Sequence, residues 1–183
     1  MKILNALLFA VIVLLGYMLY SIIEAPIAFE KVKKHRVEVV KRKLIDIRNS
    51  QLAYKSVKRQ FCNNFDSLIS FIKNDSLMVI SVIGNPDDTN QVVRRDTTLM
   101  AVKDSLFSKS FPVDSLQYEP FGGDETFEMD AGSLKMGGYV VQVFEAFVKY
   151  LTFLNDQDKE FVDHIEVMKV GSMTEASIAG NWE

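Results

Sequence analysis

Four carboxylates crowd one short stretch, Asp124, Glu125, Glu128 and Asp130, directly after the pair Gly122-Gly123. Carboxylate oxygens grouped beside a turn are what a hard cation such as calcium binds. Their spacing matches no established calcium loop. Alternation along Glu125 to Asp130 puts Phe127 and Met129 on one face and Glu128 and Asp130 on the other, as in an exposed strand. The four are weak calcium candidates, and a solvated strand face is the simpler account. His35 falls in a basic stretch and His164 in a predicted short helix, neither with a partner at ligand spacing. Cys62 is the single cysteine, so it can close no internal disulfide and has no partner for a metal site. No nucleophile–base pair, zinc motif or phosphate-binding loop is present. Gly122-Gly123 and Gly137-Gly138 read as turns between strands. The residues point to a chain that is not an enzyme and uses no cofactor.

The other concentrated chemistry is charge. From Glu30 to Arg59 there are eleven Lys/Arg against three acids, whereas from Phe61 to Glu183 there are nine against twenty. A net charge of −3 thus hides a basic stretch followed by an acidic one. Lys33, Lys34, Arg36, Lys41, Arg42 and Lys43 are the candidate interaction residues, for lipid phosphates or an acidic neighbour. Nucleic acid is not the expected partner, because the stretch lacks interleaved aromatics and the acidic remainder opposes it.

Three segments must position these residues. Ile3 to Ile23 carries no charge, and its 21 residues span about 31 Å as a helix, enough to cross a bilayer. Tyr17 and Tyr20 sit near its end, where aromatic rings favour headgroups. A cleaved signal peptide competes with this reading, but its apolar core is usually shorter. Residues 1–25 are therefore the membrane anchor. Residues 26–61 form the stem. Pro26 should kink or restart the helix, and apolar positions Phe29, Val37, Val40, Leu44, Ile47, Tyr54 and Phe61 make one stripe on a helix running to Gln60. The stripe is thin before Leu44, so only Leu44 to Phe61 is expected to lie on the rest of the protein. A coiled coil ranks second, given Gln51 and Lys58 at intermediate positions.

Residues 62–183 form an acidic α+β head. Its expected elements are a short helix from Phe65 capped by Asp66 or Ser67, and a strand from Leu77 to Ile83 turning at Gly84-Asn85-Pro86. A polar loop, Asp87 to Asn90, leads to a strand from Val92 to Val102. Further strands are expected at Ser115–Phe121, Thr126–Asp130 and Tyr139–Val148, the last three as an antiparallel meander. A short helix at Asp158–Glu166 and a strand at Met168–Val170 follow. Asp-Ser-Leu recurs at Asp66, Asp75, Asp104 and Asp114 as punctuation, the polar pair turning the chain and the leucine starting a buried element.

An apolar N-terminal span, a proline soon after it, an amphipathic helix and a small antiparallel sheet resemble type IV pilins and the pseudopilins of type II secretion systems. The closest stretch is Ile45-Asp46-Ile47-Arg48-Asn49-Ser50-Gln51-Leu52-Ala53-Tyr54 leading to Phe65-Asp66-Ser67-Leu68. The chain is also similar to single-span envelope proteins of Gram-negative bacteria that share Arg95-Asp96-Thr97-Thr98 and an ending like Val170-Gly171-Ser172-Met173-Thr174-Glu175-Ala176 to Gly180-Asn181-Trp182-Glu183. Unlike pilins, the apolar run contains no acidic residue, and Asn5 is the polar group nearest that position. A subunit retained in the membrane is expected rather than one polymerised into a long fibre. The resemblance implies a pilin-like subunit of an inner-membrane secretion or pilus-like assembly, its head periplasmic, its partners the bilayer and copies of itself or other envelope subunits. The alternative is a membrane-tethered scaffold that binds a larger envelope complex through the basic stem. Orientation stays open. The seven Lys/Arg within twenty residues after the span favour a cytoplasmic head by the positive-inside tendency.

Overall fold

The computed structural model describes residues 2–83, 94–162 and 167–183. The Gly84–Pro86 turn, the Asp87–Asn90 loop, Val92 and His164 lie outside the described residues.

Helix α1 runs from Lys2 to Lys58, 57 residues and about 86 Å long. The chain is α+β, with this long, initially apolar helix followed by antiparallel sheets. Pro26 lies inside α1, which neither stops nor restarts there. A proline removes one amide donor and crowds the preceding turn. Here it falls three residues past the apolar run, where other groups can take up the freed carbonyl. The side chains from Ile3 to Leu19 are exposed. From Phe29 onward one face turns inward: Phe29, Val40, Leu44, Ile47, Ser50, Gln51 and Ala53 are buried. The head therefore meets the stem some fifteen residues earlier than the thin stripe suggested. Phe29 stacks on Phe161, ring centroids 5.4 Å apart, so a single large ring does there what a denser stripe does further along. Burial of Val40, Leu44 and Ile47 contributes about 1.5–3 kcal/mol each.

The helix ends at Lys58, two residues short of the expected Gln60. Arg59 adopts φ +65°, a left-handed turn that ends the helix. Phe61 continues the buried stripe from outside the helix, tilted on Phe144 at 4.7 Å. Helix α2, Phe65–Asn74, is capped by Asn64, whose side chain accepts from the Ser67 amide, in place of the expected Asp66 or Ser67. It buries Leu68, Ile69, Phe71 and Ile72.

Strands β1, Ser76–Ile83, and β2, Arg94–Ala101, pair antiparallel as a two-stranded sheet, with Met78 opposite Leu99. Helix α3, Val102–Leu106, follows. The strand expected over Ser115–Phe121 is instead a 3₁₀ turn, Val113–Gln117. The Ser115 hydroxyl donates to the Pro112 carbonyl at 2.8 Å, and such local bonding outcompetes a ladder. Only the isolated bridge Tyr118–Thr126 remains of the first hairpin of the meander. Strands β3, Glu128–Met136, β4, Tyr139–Lys149, and β5, Val167–Gly171, form an antiparallel sheet in the order β3-β4-β5. Gly137 and Gly138, both at positive φ, make the two-residue turn between β3 and β4. Short helices α4, Tyr150–Phe153, and α5, Lys159–Val162, lie between β4 and β5. The C-terminal tail then lies along β5. The Asn181 side chain accepts from the Lys169 amide at 3.1 Å and donates to the Val167 carbonyl at 2.8 Å. Arg48 closes the tail onto α1 by donating to Glu183 at 2.7 Å.

Candidate functional site

The six basic residues singled out on the stem divide by their position around α1. Arg36 and Lys43 face the head. The Arg36 guanidinium donates to both carboxylate oxygens of Asp156, at 2.5 and 2.8 Å, and to the Phe153 carbonyl at 2.7 Å. It also covers the Phe121 ring, 5.0 Å from the centroid. This pairing holds the Asp156 carboxyl down to about 2 and raises the Arg36 value, chiefly through the Asp156 hydrogen bond. Asp156 is thus a partner for the stem. Lys43 donates to the Ser115 carbonyl, and burial lowers its pKa. Lys33 and Lys41 pair along the helix with Glu30, at 3.5 Å, and Glu38, at 4.0 Å. Lys34 and Arg42 are exposed and have no ion pair or hydrogen bond among the described residues. Lys31, one turn before Lys34, is likewise exposed. Between Lys31 and Lys43, the outward basic chemistry of the stem therefore reduces to Lys31, Lys34 and Arg42, with Lys33 and Lys41 partly engaged.

Arg36 and Lys43 flank a residue that composition and spacing did not single out. Glu119 is a buried acid, only 2% exposed. Its Oε2 accepts from the Phe121 amide at 2.7 Å, while Oε1 is buried with no hydrogen-bond partner. Burial raises its pKa, against the opposing pull of the Phe121 and Gly122 amides and the charges of Arg36 and Lys43. The loop it belongs to closes through Glu119 N–H to the Glu125 carbonyl, 2.9 Å, and Phe127 N–H to the Gln117 carbonyl, 2.9 Å. Gly122 is explained by this carboxylate. A Cβ there would stand 2.8 Å from Glu119 Oε2 and 2.9 Å from Thr152 Cγ2. The first glycine of the pair is needed for close approach, and the second, Gly123 at φ +71°, for the turn. The clue available in sequence was one acid beside a proline, an aromatic ring and two glycines, which no pattern distinguishes from an ordinary surface turn.

The four clustered carboxylates are separated by the fold. Asp124 and Glu125 lie exposed in this loop, whereas Glu128 and Asp130 lie exposed on β3. Phe127 is buried and Met129 packs on the core, so the alternation along the strand is observed. Asp130 accepts from the Ala131 amide beside it at 2.8 Å. No three His, Cys, Asp or Glu side chains converge to hold a metal ion among the described residues. Cys62 is buried, its thiol donating to the Asn64 carbonyl at 3.1 Å. It borders a small polar cavity of about 240 Å³ with Tyr54, Asn64 and Gln142. A wider groove of about 610 Å³ separates the end of α1 from β1, lined by Val57, Leu77, Met78 and Leu99. What these surfaces offer is contact: an apolar span, an outward basic helix face and an exposed acidic loop. Comparison with protein-family models, curated proteins and solved structures finds no match.

Proposed function

We propose that this chain is a non-enzymatic, pilin-like subunit of an inner-membrane assembly serving secretion or a pilus-like structure, with its head in the periplasm. One observation carries the reading. A single helix, α1, holds an exposed apolar stretch long enough to cross a membrane and then becomes the buried spine of an antiparallel α+β head. Anchor and head share one rigid element, which suits a subunit positioned by neighbours both inside and outside the bilayer. Head packing begins at Phe29, six residues or about 9 Å beyond Ile23, so the head stands close to the headgroups. The test is a tag placed after Glu183, with protease added to intact spheroplasts, followed by crosslinking in membranes. A cleaved tag and crosslinked multimers are expected. A protected tag places the head in the cytoplasm and removes the pilin-like reading.

The scaffold alternative draws on Lys34 and Arg42, which are outward and without partners among the described residues. Under it, charge reversal there abolishes co-purification of a distinct larger protein while leaving self-crosslinking untouched.

A further inference from the structure

We propose that the head-averted face of α1, centred on Lys34 and Arg42, docks the Asp124–Glu125 loop of a second copy of this chain standing beside it in the same bilayer. The inference rests on the membrane-assembly reading above and names its interface.

The Lys34 side of α1 and the acidic loop lie on opposite sides of one molecule. Lys34 and Lys43 are nine residues apart, which at about 100° per residue places them half a turn apart around α1. Lys43 reaches the head at Ser115, and Arg36 reaches it at Phe121 and Phe153. The loop carrying Asp124 and Glu125 belongs to that flank, since its Phe121 lies under Arg36 and its Gly122 stands against Glu119 and Thr152. Lys34 faces the other way, and Arg42, eight residues on, stands about 80° round from it, toward the flank where His35 meets the Phe121 ring.

The surfaces also share one height. The loop's Phe121 touches the stem at His35 and Arg36, within the interval from Lys34 to Arg42. Two copies anchored by the same span in the same membrane stand level, so the acidic loop of one meets the basic face of the next without sliding along the axis. Their charges are available. Lys34, Arg42, Asp124 and Glu125 are all exposed, and none has a side-chain partner among the described residues. Exposed apolar side chains accompany both: Leu52, in line with Lys34 about five turns further along α1, and Tyr118, beside the loop. Charge complementarity selects the occupant. The basic stretch and the acidic head are parts of one chain, so every copy presents both halves of the contact. Because the halves differ, the contact is heterologous. It builds rows or rings rather than a closed two-fold pair.

The test uses the full-length protein in zwitterionic proteoliposomes, joined by a zero-length carboxyl-to-amine crosslinker. The wild type is expected to give a ladder that weakens with added salt. Lys34→Glu with Arg42→Glu should cut the ladder about tenfold, as should Asp124→Lys with Glu125→Lys. Combining all four should restore it. An unchanged melting profile checks that each exposed double variant is folded. A wild-type ladder indifferent to both reversals overturns this interface while leaving assembly standing, whereas a wild type that remains monomeric overturns both. Loss with the stem reversal alone, unaffected by the loop reversal, means that Lys34 and Arg42 meet a different acidic surface of the neighbouring copy and also overturns the proposal.

Discussion

Two carboxylates at the stem–head junction pull stability in opposite directions with pH. Asp156 is held down to about 2 by Arg36, from an ordinary value of 3.8. A depressed acid contributes stability that is present above its unfolded value and lost as pH falls toward the folded one. Its share therefore disappears between about pH 3.8 and 2. Glu119 is shifted the other way, its value raised above 4.5 by burial. A raised acid stabilises fully below its unfolded value and loses that contribution as pH rises through the folded one. The Asp156 contribution is thus lost on the acid side, while above about 4.5 a falling limb carries the loss from Glu119 together with that from Asp46, which burial also raises. Glu119→Gln keeps an acceptor for the Phe121 amide and removes the charge. Thermal melts across pH 3 to 8 should show that limb flattened in the variant, and an identical slope would mean the carboxylate carries no charge penalty there. Neither acid was legible as a junction residue. Asp156 stands out in no local pattern because its partner lies 120 positions away. Glu119 gave no pattern at all, since burial is a property of the fold around it. The alternation of Phe127 and Met129 against Glu128 and Asp130 was legible, because strand pleat is local.

At the scale of elements, the end of α1 depends on one buried amide. Gln51 is fully buried and clamps the backbone after the helix: its Nε2 donates to the Cys62 carbonyl at 2.7 Å, and its Oε1 accepts from the Cys62 amide at 2.9 Å. The side chain substitutes for a strand partner just beyond the left-handed Arg59. Gln51→Ala should leave both Cys62 groups unpaired and lower stability by about 2–4 kcal/mol, read from urea unfolding. A loss under 1 kcal/mol would show that water replaces the clamp. In the sequence, Gln51 looked like an interruption of the apolar stripe, because hydrophobic periodicity cannot register a polar residue buried through its hydrogen bonds. Elements with strong local signals were legible: β1, β4 and β5, and the glycine turn at Gly137-Gly138. Those decided by competition were not. Ser115 bonded locally and turned a presumed strand into a 3₁₀ turn. Phe29 was marked by the stripe, but its ring partner Phe161 lies far along the chain, so the contact that brings the head down the stem was not legible.

At the scale of the molecule, the consequence of α1 is mechanical. If the span and the spine are one rod, the facing of the head is fixed by the facing of the span, and neighbour contacts in both regions must agree in phase. Residues 24 to 28 separate Ile23 from the first head contact at Phe29 and touch little of the head. Alanine insertions between Glu24 and Ala25 can therefore rotate the head without altering its packing. Two alanines turn it by about 200° and lift it about 3 Å, whereas seven turn it by about 700°, nearly two full turns, and lift it about 10 Å. Every copy in a membrane is lifted equally, so the match of heights between Lys34 or Arg42 and the Asp124–Glu125 loop survives both changes, and only the phase between span and head is altered. Crosslinking in membranes should then show the ladder largely lost with two inserted residues and recovered with seven. Equal ladders from all three chains would mean that the span is a tether and that assembly is decided by the head and stem alone. Loss with both insertions would point instead to a requirement for the head to stand at a fixed distance from the bilayer. Recovery at seven but not at two is the periodic response that only a continuous helix can transmit.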